Sequence, residues 1–239
     1  IFCLLNDPKD ANILWVGTNG GLSRFDAAAG RFQSFRNDPK DPRSLSADRV
    51  RTIDEDREGR LWIATFGGGL DVLPKGSDGF DRIRHDAKNP RGLADDFVHS
   101  VREDQSGRLW VATRNGLQLR EPDGSFSTYR SDPADPHSLG DSDVLSLFED
   151  RGGVLWFGTR AGGAARFNPR TWAFGHVRPE PADPRGLAHG YVTSFSEGPR
   201  GHLWIGTMGG GLHELDRATG VMRHYGRGDL GLSDDRVMA

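Results

Sequence analysis

The stretch LWIGTMGGGLHELD, residues 203–216, decides the fold. It joins a run of bulky apolar residues around a tryptophan to three consecutive glycines. Related copies occur upstream as LWVGTNGGLSRFD, LWIATFGGGLDVL, LWVATRNGLQLRE and LWFGTRAGGAARFN. The five tryptophans are spaced 47, 48, 46 and 48 residues apart, at Trp15, Trp62, Trp110, Trp156 and Trp204. A period of this length indicates a repeat architecture.

Each repeat offers four short strands separated by turn residues. A strand ending in acid, such as VRTIDED (50–56), precedes the LW strand, and two more strands follow the glycines. Proline-bearing connectors such as NDPKDPRSLSADR (37–49) join the repeats. We predict a single β-propeller region over residues 1–239, a fragment of a longer protein because it begins and stops at the same phase of the repeat. The predicted units are 1–49, 50–97, 98–143, 144–191 and 192–236, with a further unit starting at 237–239.

The LW strand is apolar on both faces. Alternate side chains of a strand point to opposite faces, so Leu203 and Ile205 share one face and Trp204 lies on the other. A strand of this kind fits a sheet sandwiched between two neighbouring sheets. The pattern predicts all-β, four-stranded antiparallel propeller blades, with the tryptophans as structural residues between them. With 33 glycines and 13 prolines, few stretches are long enough for the helices of a solenoid.

The composition disfavours several other classes of protein. The net charge of −3 comes from 31 basic and 34 acidic residues without long runs, so we predict no nucleic-acid partner. Cys3 is the only cysteine, which excludes a disulfide within the chain. The eight histidines show no metal-ligand spacing, and no phosphate-binding or catalytic motif is present. We therefore predict no metal site and no cofactor.

Paired acids recur at Glu55-Asp56, Glu103-Asp104 and Glu149-Asp150. Two carboxyl groups could serve a glycosidase, which needs them about 5 to 10 Å apart. Their recurrence in successive units instead favours a structural role, in which the aspartate accepts backbone N–H bonds of the turn that follows. We also predict that these acids lie at the opposite end of the sheets from the glycine turns.

The glycine turns and the connectors are predicted to share one rim, because both emerge at the same end of an antiparallel blade. Residues at two positions on this rim vary strongly in chemical type, while the frame around them repeats. Arginines, aromatics and acids suit sugars or uronic acids. The predicted ligand-binding residues, which could also be tolerant loop tips, are Asn19, Arg49, Phe66, Phe97, Arg114, Asp143, Arg160, Tyr191, Met208 and Arg236.

The segments DREGRLWIATFGGGLDVL (56–73) and NDPKDPRSLSADRVRTIDED (37–56), echoed by SDPADPHSLGDSDVLSLFED (131–150), closely resemble the two-component regulator propeller repeat. The resemblance covers essentially the whole chain. It implies a periplasmic sensor domain, commonly of two seven-bladed propellers, joined by a membrane helix to a histidine kinase or diguanylate cyclase. Five units then favour an arc of a larger propeller over a closed five-bladed ring. One departure from the pattern is Gly198, which replaces the turn acid in the fifth copy.

The leading functional prediction is a non-catalytic sensor propeller that binds a small molecule or an oligosaccharide, the ligand class that the resemblance implies. Its other partners would be the rest of the same receptor chain and, as in many sensors of the family, a second copy in a homodimer. The localisation implied is the periplasmic part of an inner-membrane receptor. A propeller enzyme, either a lyase or a glycosidase, and a protein-binding scaffold are the alternatives.

Overall fold

The computed structural model describes residues 1–168, 173–180, 183, 186–228 and 232–238. The chain forms two compact units, residues 1–128 and residues 129–239. The described elements are β-strands and one 3₁₀ turn, Pro199–Gly201. None of the described helical segments has the length and hydropathy of a transmembrane helix.

The first unit contains three four-stranded sheets, here called blades 1 to 3, the last strand of which runs one residue past the unit. Blade 1 consists of β1 (Cys3–Asn6), β2 (Ile13–Thr18), β3 (Gly21–Asp26) and β4 (Arg31–Phe35). Blade 2 consists of β5 (Val50–Glu55), β6 (Leu61–Thr65), β7 (Gly69–Leu73) and β8 (Asp81–Ile83). Blade 3 consists of β9 (Val98–Glu103), β10 (Leu109–Thr113), β11 (Gly116–Arg120) and β12 (Phe126–Tyr129).

The second unit contains blades 4 and 5. Blade 4 consists of β13 (Val144–Glu149), β14 (Leu155–Thr159), β15 (Ala164–Asn168) and β16 (Ala173–Val177). Blade 5 consists of β17 (Val192–Glu197), β18 (His202–Thr207), β19 (Leu212–Asp216) and β20 (Met222–Tyr225). In every blade the strand order follows the chain, and the pairings recorded between neighbouring strands are antiparallel. The predicted all-β fold of four-stranded antiparallel blades is confirmed.

The indoles of the LW strands lie in the core of the blades. The side chains of Trp62, Trp110 and Trp156 are no more than 2 % exposed, and Trp15 is 5 % exposed. In the first unit Trp15 packs in one cluster with apolar residues of blades 1 and 2. In the second unit Trp156 packs with apolar residues of blade 5. Trp204 is only half-buried.

A threonine and a glycine shape the turn after each LW strand. In blade 2 the Thr65 hydroxyl donates to the Gly69 carbonyl oxygen at 2.8 Å, and equivalent bonds close this turn in the other four blades. Gly69 has a φ of 89°, and a Cβ there would overlap the Ile83 carbonyl oxygen of the fourth strand. This position therefore requires a residue that adopts a positive φ and has no Cβ, and only glycine satisfies both requirements.

A buried polar side chain on the third strand holds the connector in three blades. Asp71 Oδ2 accepts the Ser46 N–H at 2.8 Å, and Gln118 Oε1 accepts the Ala94 N–H at 2.9 Å. In blade 5 the same position is His213, whose Nε2 accepts a backbone N–H from the connector at 3.0 Å. All three side chains are 0 % exposed. These bonds fix the connectors, and with them the residues that precede each first strand.

Candidate functional site

The end of each blade that carries the glycine turn, here called the tip end, brings together the two variable positions of the sequence. The Phe66 N–H donates to the Arg49 carbonyl oxygen at 2.9 Å. The Arg160 N–H donates to the Asp143 carbonyl oxygen at the same distance. A β-bulge at the start of the first strand lies beside these pairs in blades 2 to 5. Extra residues of this kind re-aim neighbouring side chains.

In the first unit four of the predicted residues form one cluster, here called the first tip cluster: Arg49, Phe66, Phe97 and Arg114. The two phenylalanine rings, from blades 2 and 3, meet edge to face with centroids 4.6 Å apart. The Arg49 guanidinium carbon lies 4.3 Å from the Phe66 ring centroid, and that of Arg114 lies 4.0 Å from Phe97. The rings therefore lie between two cations. Asn19 is exposed at the corresponding tip of blade 1, and no described contact joins it to the cluster.

In the second unit the other five predicted residues form the second tip cluster: Asp143, Arg160, Tyr191, Met208 and Arg236. Arg160 forms an ion pair with Asp143, which raises the pKa of the arginine. Its guanidinium carbon lies 5.1 Å from the Tyr191 ring centroid. Met208 pairs through its backbone with Tyr191 and with Arg236. Each cluster thus links neighbouring blades of its own unit.

Most of the tip arginines are paired with aspartates. Arg114 Nε lies 3.3 Å from Asp95 Oδ2, and Arg236 Nη2 lies 2.9 Å from Asp234 Oδ2. Hydrogen bonds from Arg236 lower the pKa of Asp234 to about 2. Arg49 makes cation–π contacts but, among the described residues, no ion pair. The tips therefore present N–H donors and carboxylate acceptors side by side with little net charge.

The opposite end of the sheets, here called the acid end, carries a repeated carboxylate–indole bond. In blade 2 Asp56 Oδ2 accepts from Trp62 Nε1 at 2.7 Å and from Arg60 Nε at 2.6 Å. Its Oδ1 accepts the N–H groups of Glu58 and Arg60, as predicted for the turn. Burial by itself raises the pKa of Asp56, but the hydrogen bonds from Trp62 and Arg60 outweigh it and lower that pKa.

Blades 3 and 4 repeat this bond. Asp104 Oδ2 accepts from Trp110 Nε1 at 2.9 Å and from Arg108 Nε at 2.7 Å. Asp150 Oδ2 accepts from Trp156 Nε1 at 3.1 Å. The indole was not predicted as the partner of the acid, although a constant spacing of six residues between acid and tryptophan marks it.

Blades 1 and 5 depart from this arrangement. Asp7 corresponds to Asp56, but Trp15 follows it by eight residues because the turn is longer. Trp15 Nε1 is buried, with no hydrogen-bond partner among the described residues. In blade 5 Gly198 takes the place of the acid, and a Cβ there would stand 2.7 Å from Trp204 Nε1.

In blades 2, 3 and 5 the glutamate that ends the first strand connects neighbouring blades. It contacts a basic residue in the turn of the preceding blade, 46 residues earlier in the sequence. These pairs are Lys9–Glu55 at 2.6 Å, Arg57–Glu103 at 3.9 Å and Arg151–Glu197 at 3.2 Å. The recurring acids therefore take part in the frame of each unit.

The buried titratable groups are likewise held by the fold. Burial raises the pKa of Asp54 and of Asp71 to about 6, and lowers that of His213 to about 4. Asp54 Oδ2 accepts the Glu103 N–H at 2.7 Å. This bond satisfies a backbone donor of the first strand of blade 3, which is an edge strand of its sheet. The described residues do not bring three His, Cys, Asp or Glu side chains together in a metal-binding arrangement.

Comparison with known proteins agrees with this architecture. The family described as "Two component regulator propeller" matches the chain four times, at residues 44–67, 92–115, 138–161 and 186–209. Each match covers a connector, a first strand and an LW strand with its turn. The chain therefore contains four two-component regulator propeller repeats. A search of the curated proteins gives no significant match.

Solved structures share the fold at low sequence identity. An extracellular domain described as part of a hybrid two-component system of B. thetaiotaomicron is 22 % identical, with a TM-score of 0.77 over 98 % of this chain and 29 % of its own. A second such domain from B. thetaiotaomicron is 21 % identical, with a TM-score of 0.73 over 96 % and 31 %. An ancestral GH74 enzyme is 14 % identical, with a TM-score of 0.70 over 98 % and 32 %. The chain spans about a third of the length of these structures.

Proposed function

We propose that this chain is the ligand-recognition part of a bacterial membrane signalling receptor, that it lies outside the cytoplasm, and that it binds an oligosaccharide or similar polyhydroxylated small molecule at its tip clusters. The observation that carries the proposal is the arrangement of the ten variable tip residues, nine of which are joined in two clusters. The extracellular domains of two-component systems that share its fold support the sensor role.

The chemistry of the tips favours a neutral sugar over an anionic one. Arg114 and Arg160 are half exposed, and each is already paired with an aspartate. Such a pair offers donors and acceptors together, which matches the vicinal hydroxyl groups of a sugar. The rings of Phe97 and Tyr191 supply apolar surface beside these polar groups. A uronic acid would find few unpaired cations, Arg49 being the exception within the first tip cluster.

The acids of the chain support recognition rather than catalysis. A glycosidase needs two carboxyl groups flanking an open substrate site, one of them with a raised pKa. Asp54 and Asp71 have raised pKa values, but Asp71 is buried, Asp54 is half-buried, and both accept backbone N–H bonds. The propeller enzyme stays an alternative because an ancestral GH74 enzyme shares the fold.

Signalling would follow if the ligand binds one state of the receptor more tightly than the other, since only a difference in affinity shifts such an equilibrium. Rigid blades suit this task because they hold the tips in place while the glycine turns and the connectors carry the variable residues. The kinase or cyclase output would belong to other parts of the receptor.

A screen of neutral and uronate-containing oligosaccharides tests the proposal. We expect at least one neutral oligosaccharide to raise the Tm saturably without being altered, as followed by product analysis. The double variant Arg114→Gln/Arg160→Gln should weaken binding at least about tenfold, because each change removes a charge-assisted donor. Arg31→Gln, an exposed change on the fourth strand of blade 1, is the matched control and should bind normally.

The outcomes separate the three functions. Release of product by the purified chain would support the propeller enzyme. Binding that is unchanged in the double variant would place recognition away from the tips. Capture of a macromolecular partner without any saturable small-molecule ligand would favour the scaffold.

A further inference from the structure

A cleft of about 470 Å³ opens at the acid end of blades 1 and 2. Its apolar lining comes from Trp15, Phe35, Leu61 and Leu73. The Trp15 and Phe35 rings are roughly stacked there, with centroids 6.0 Å apart. Such a lining suits the flat apolar body of a small molecule.

The indole in this cleft lacks the carboxylate acceptor that the indoles of blades 2 to 4 have. In blade 2 the indole of Trp62 donates to Asp56, whereas Trp15 Nε1 has no hydrogen-bond partner among the described residues. Asp7, the equivalent acid, instead accepts the backbone N–H groups of its own longer turn at Lys9 and Asp10. A buried donor without an acceptor is costly, which favours any ligand that supplies one.

Two cations of the cleft also favour a ligand that carries an acceptor group with a negative charge. Arg24 and Lys75 both line the cleft, and neither forms an ion pair with any residue that the structure describes. Four acids also line the cleft, and each has a partner: Glu55 pairs with Lys9, itself a lining residue, Asp78 pairs with Arg43, and Asp7 and Asp10 accept backbone N–H groups of their own turn. The cleft therefore combines an orphan N–H, two unpaired cations and an apolar lining.

We propose that this cleft binds a small molecule that bears one carboxylate on a flat apolar body. The carboxylate would stand beside Trp15 Nε1, in the relation that Asp56 has to Trp62, with Arg24 and Lys75 balancing its charge. Because the indole N–H is itself buried, side chains around it must rearrange for the carboxylate to reach it. The site lies at the opposite end of the sheets from the tip clusters, so the inference does not rest on the proposed function.

Benzoate is a suitable probe, and benzamide is its neutral control of nearly the same shape. In a titration of the ¹⁵N-labelled chain, we expect benzoate to move the Trp15 indole N–H resonance saturably, and benzamide to leave it in place. The resonance is identified by its loss in Trp15→Phe or, if that variant does not fold, by sequential assignment. A Trp15 resonance that stays fixed, or that responds equally to both compounds, would overturn the proposal.

Charge variants keep the test independent of the buried tryptophan. Arg24→Gln and Lys75→Gln should each weaken benzoate binding at least about fivefold, since each removes one cation from a carboxylate. Arg31→Gln and Lys40→Gln are exposed changes outside the cleft and should leave the affinity unchanged. Equal affinity in all four variants would show that the two cations play no part and would contradict the site.

Discussion

The two ends of the blades contain the same residue types but differ in how constant their positions are and how deeply they are buried. At the acid end, arginine and aspartate recur at fixed positions and surround buried indoles, as in Asp56 with Arg60 and Asp104 with Arg108. At the tip end, arginine and aspartate occur at changing positions, with the arginines about half exposed, and are mixed with aromatic rings. Five residues of the LW strand separate the two ends, roughly 16 Å.

The difference between the ends lies in burial. A carboxylate held under an indole has lost its water, so removing it leaves several donors without partners. An exposed ion pair at a tip exchanges with water and contributes little to stability. Substitutions at the acid end should therefore destabilise the fold, whereas substitutions at the tip end should have little effect on stability.

Asp104→Ala should lower the free energy of unfolding by about 3 to 4 kcal/mol, because the buried indole N–H of Trp110 and the Arg108 guanidinium lose their acceptor. Urea denaturation measures the loss. Asp123→Ala, which removes an exposed acid from blade 3, is the control and should leave the urea midpoint nearly unchanged. Equal losses in the two variants would remove the basis of the contrast.

His213 should make the stability depend on pH. Burial lowers its pKa from 6.5 to about 4, so the unfolded chain takes up this proton at a higher pH than the folded chain. The stability that it contributes is complete above pH 6.5 and is lost as the pH falls towards 4. Relative to His213→Gln, the wild type should therefore lose up to about 3 kcal/mol over this range.

Glutamine is the matched replacement because Gln118 accepts the equivalent connector N–H in blade 3. At pH 7, His213→Gln should cost less than about 1 kcal/mol, and His213→Ala about 2 to 3 kcal/mol, since alanine leaves a cavity and an unpaired N–H. Parallel pH profiles for wild type and His213→Gln would show that the histidine does not titrate in this window.

Arg217 should act as a cation supplied from the next blade. Blade 4 has Val154 where blades 2 and 3 have arginine, and Arg217 of blade 5 pairs with Asp150 and with Glu197 instead. Arg217→Ala should cost about 2 kcal/mol in urea denaturation, as one partner of a largely buried pair is lost. Adding Val154→Arg should restore part of that loss, and no recovery would contradict the equivalence of the two arrangements.

Arg114→Gln should have the smallest effect on stability, within about 0.5 kcal/mol of the wild type. Its guanidinium is half exposed, so water replaces the contacts with Asp95 and Phe97. The same urea denaturation serves as the measurement. A loss comparable to that of Asp104→Ala would mean that the tips belong to the structural frame.

Much of the fold could be predicted because its signals are local. Alternation around Trp110 predicts a strand, and the glycines after it predict the reversal. The strand predicted at this LW stretch is observed as β10, Leu109–Thr113. Trp204 is the exception among the indoles, since it lies only half-buried in a blade whose acid is replaced by Gly198.

The candidate site was predicted less completely. The variable positions identified the tip residues, but not that Phe66 contacts Phe97 across two blades, or that Asp143 neutralises Arg160. Asn19 was selected by the same rule, yet no described contact joins it to a cluster. The cleft beside Trp15 was not predicted, because its signal is the length of one turn rather than any motif.

By itself, the sequence determined the blades of this protein: their number in the chain, their strands and their turns. Strands and turns depend on residues that are close together in the sequence, because side-chain alternation and backbone preferences act over a few positions. Only the tertiary structure decided which side chains meet between blades, such as Lys9 with Glu55 or Arg217 with Asp150. These partners lie 46 and 67 residues apart, and their contact depends on how whole sheets pack rather than on any local pattern.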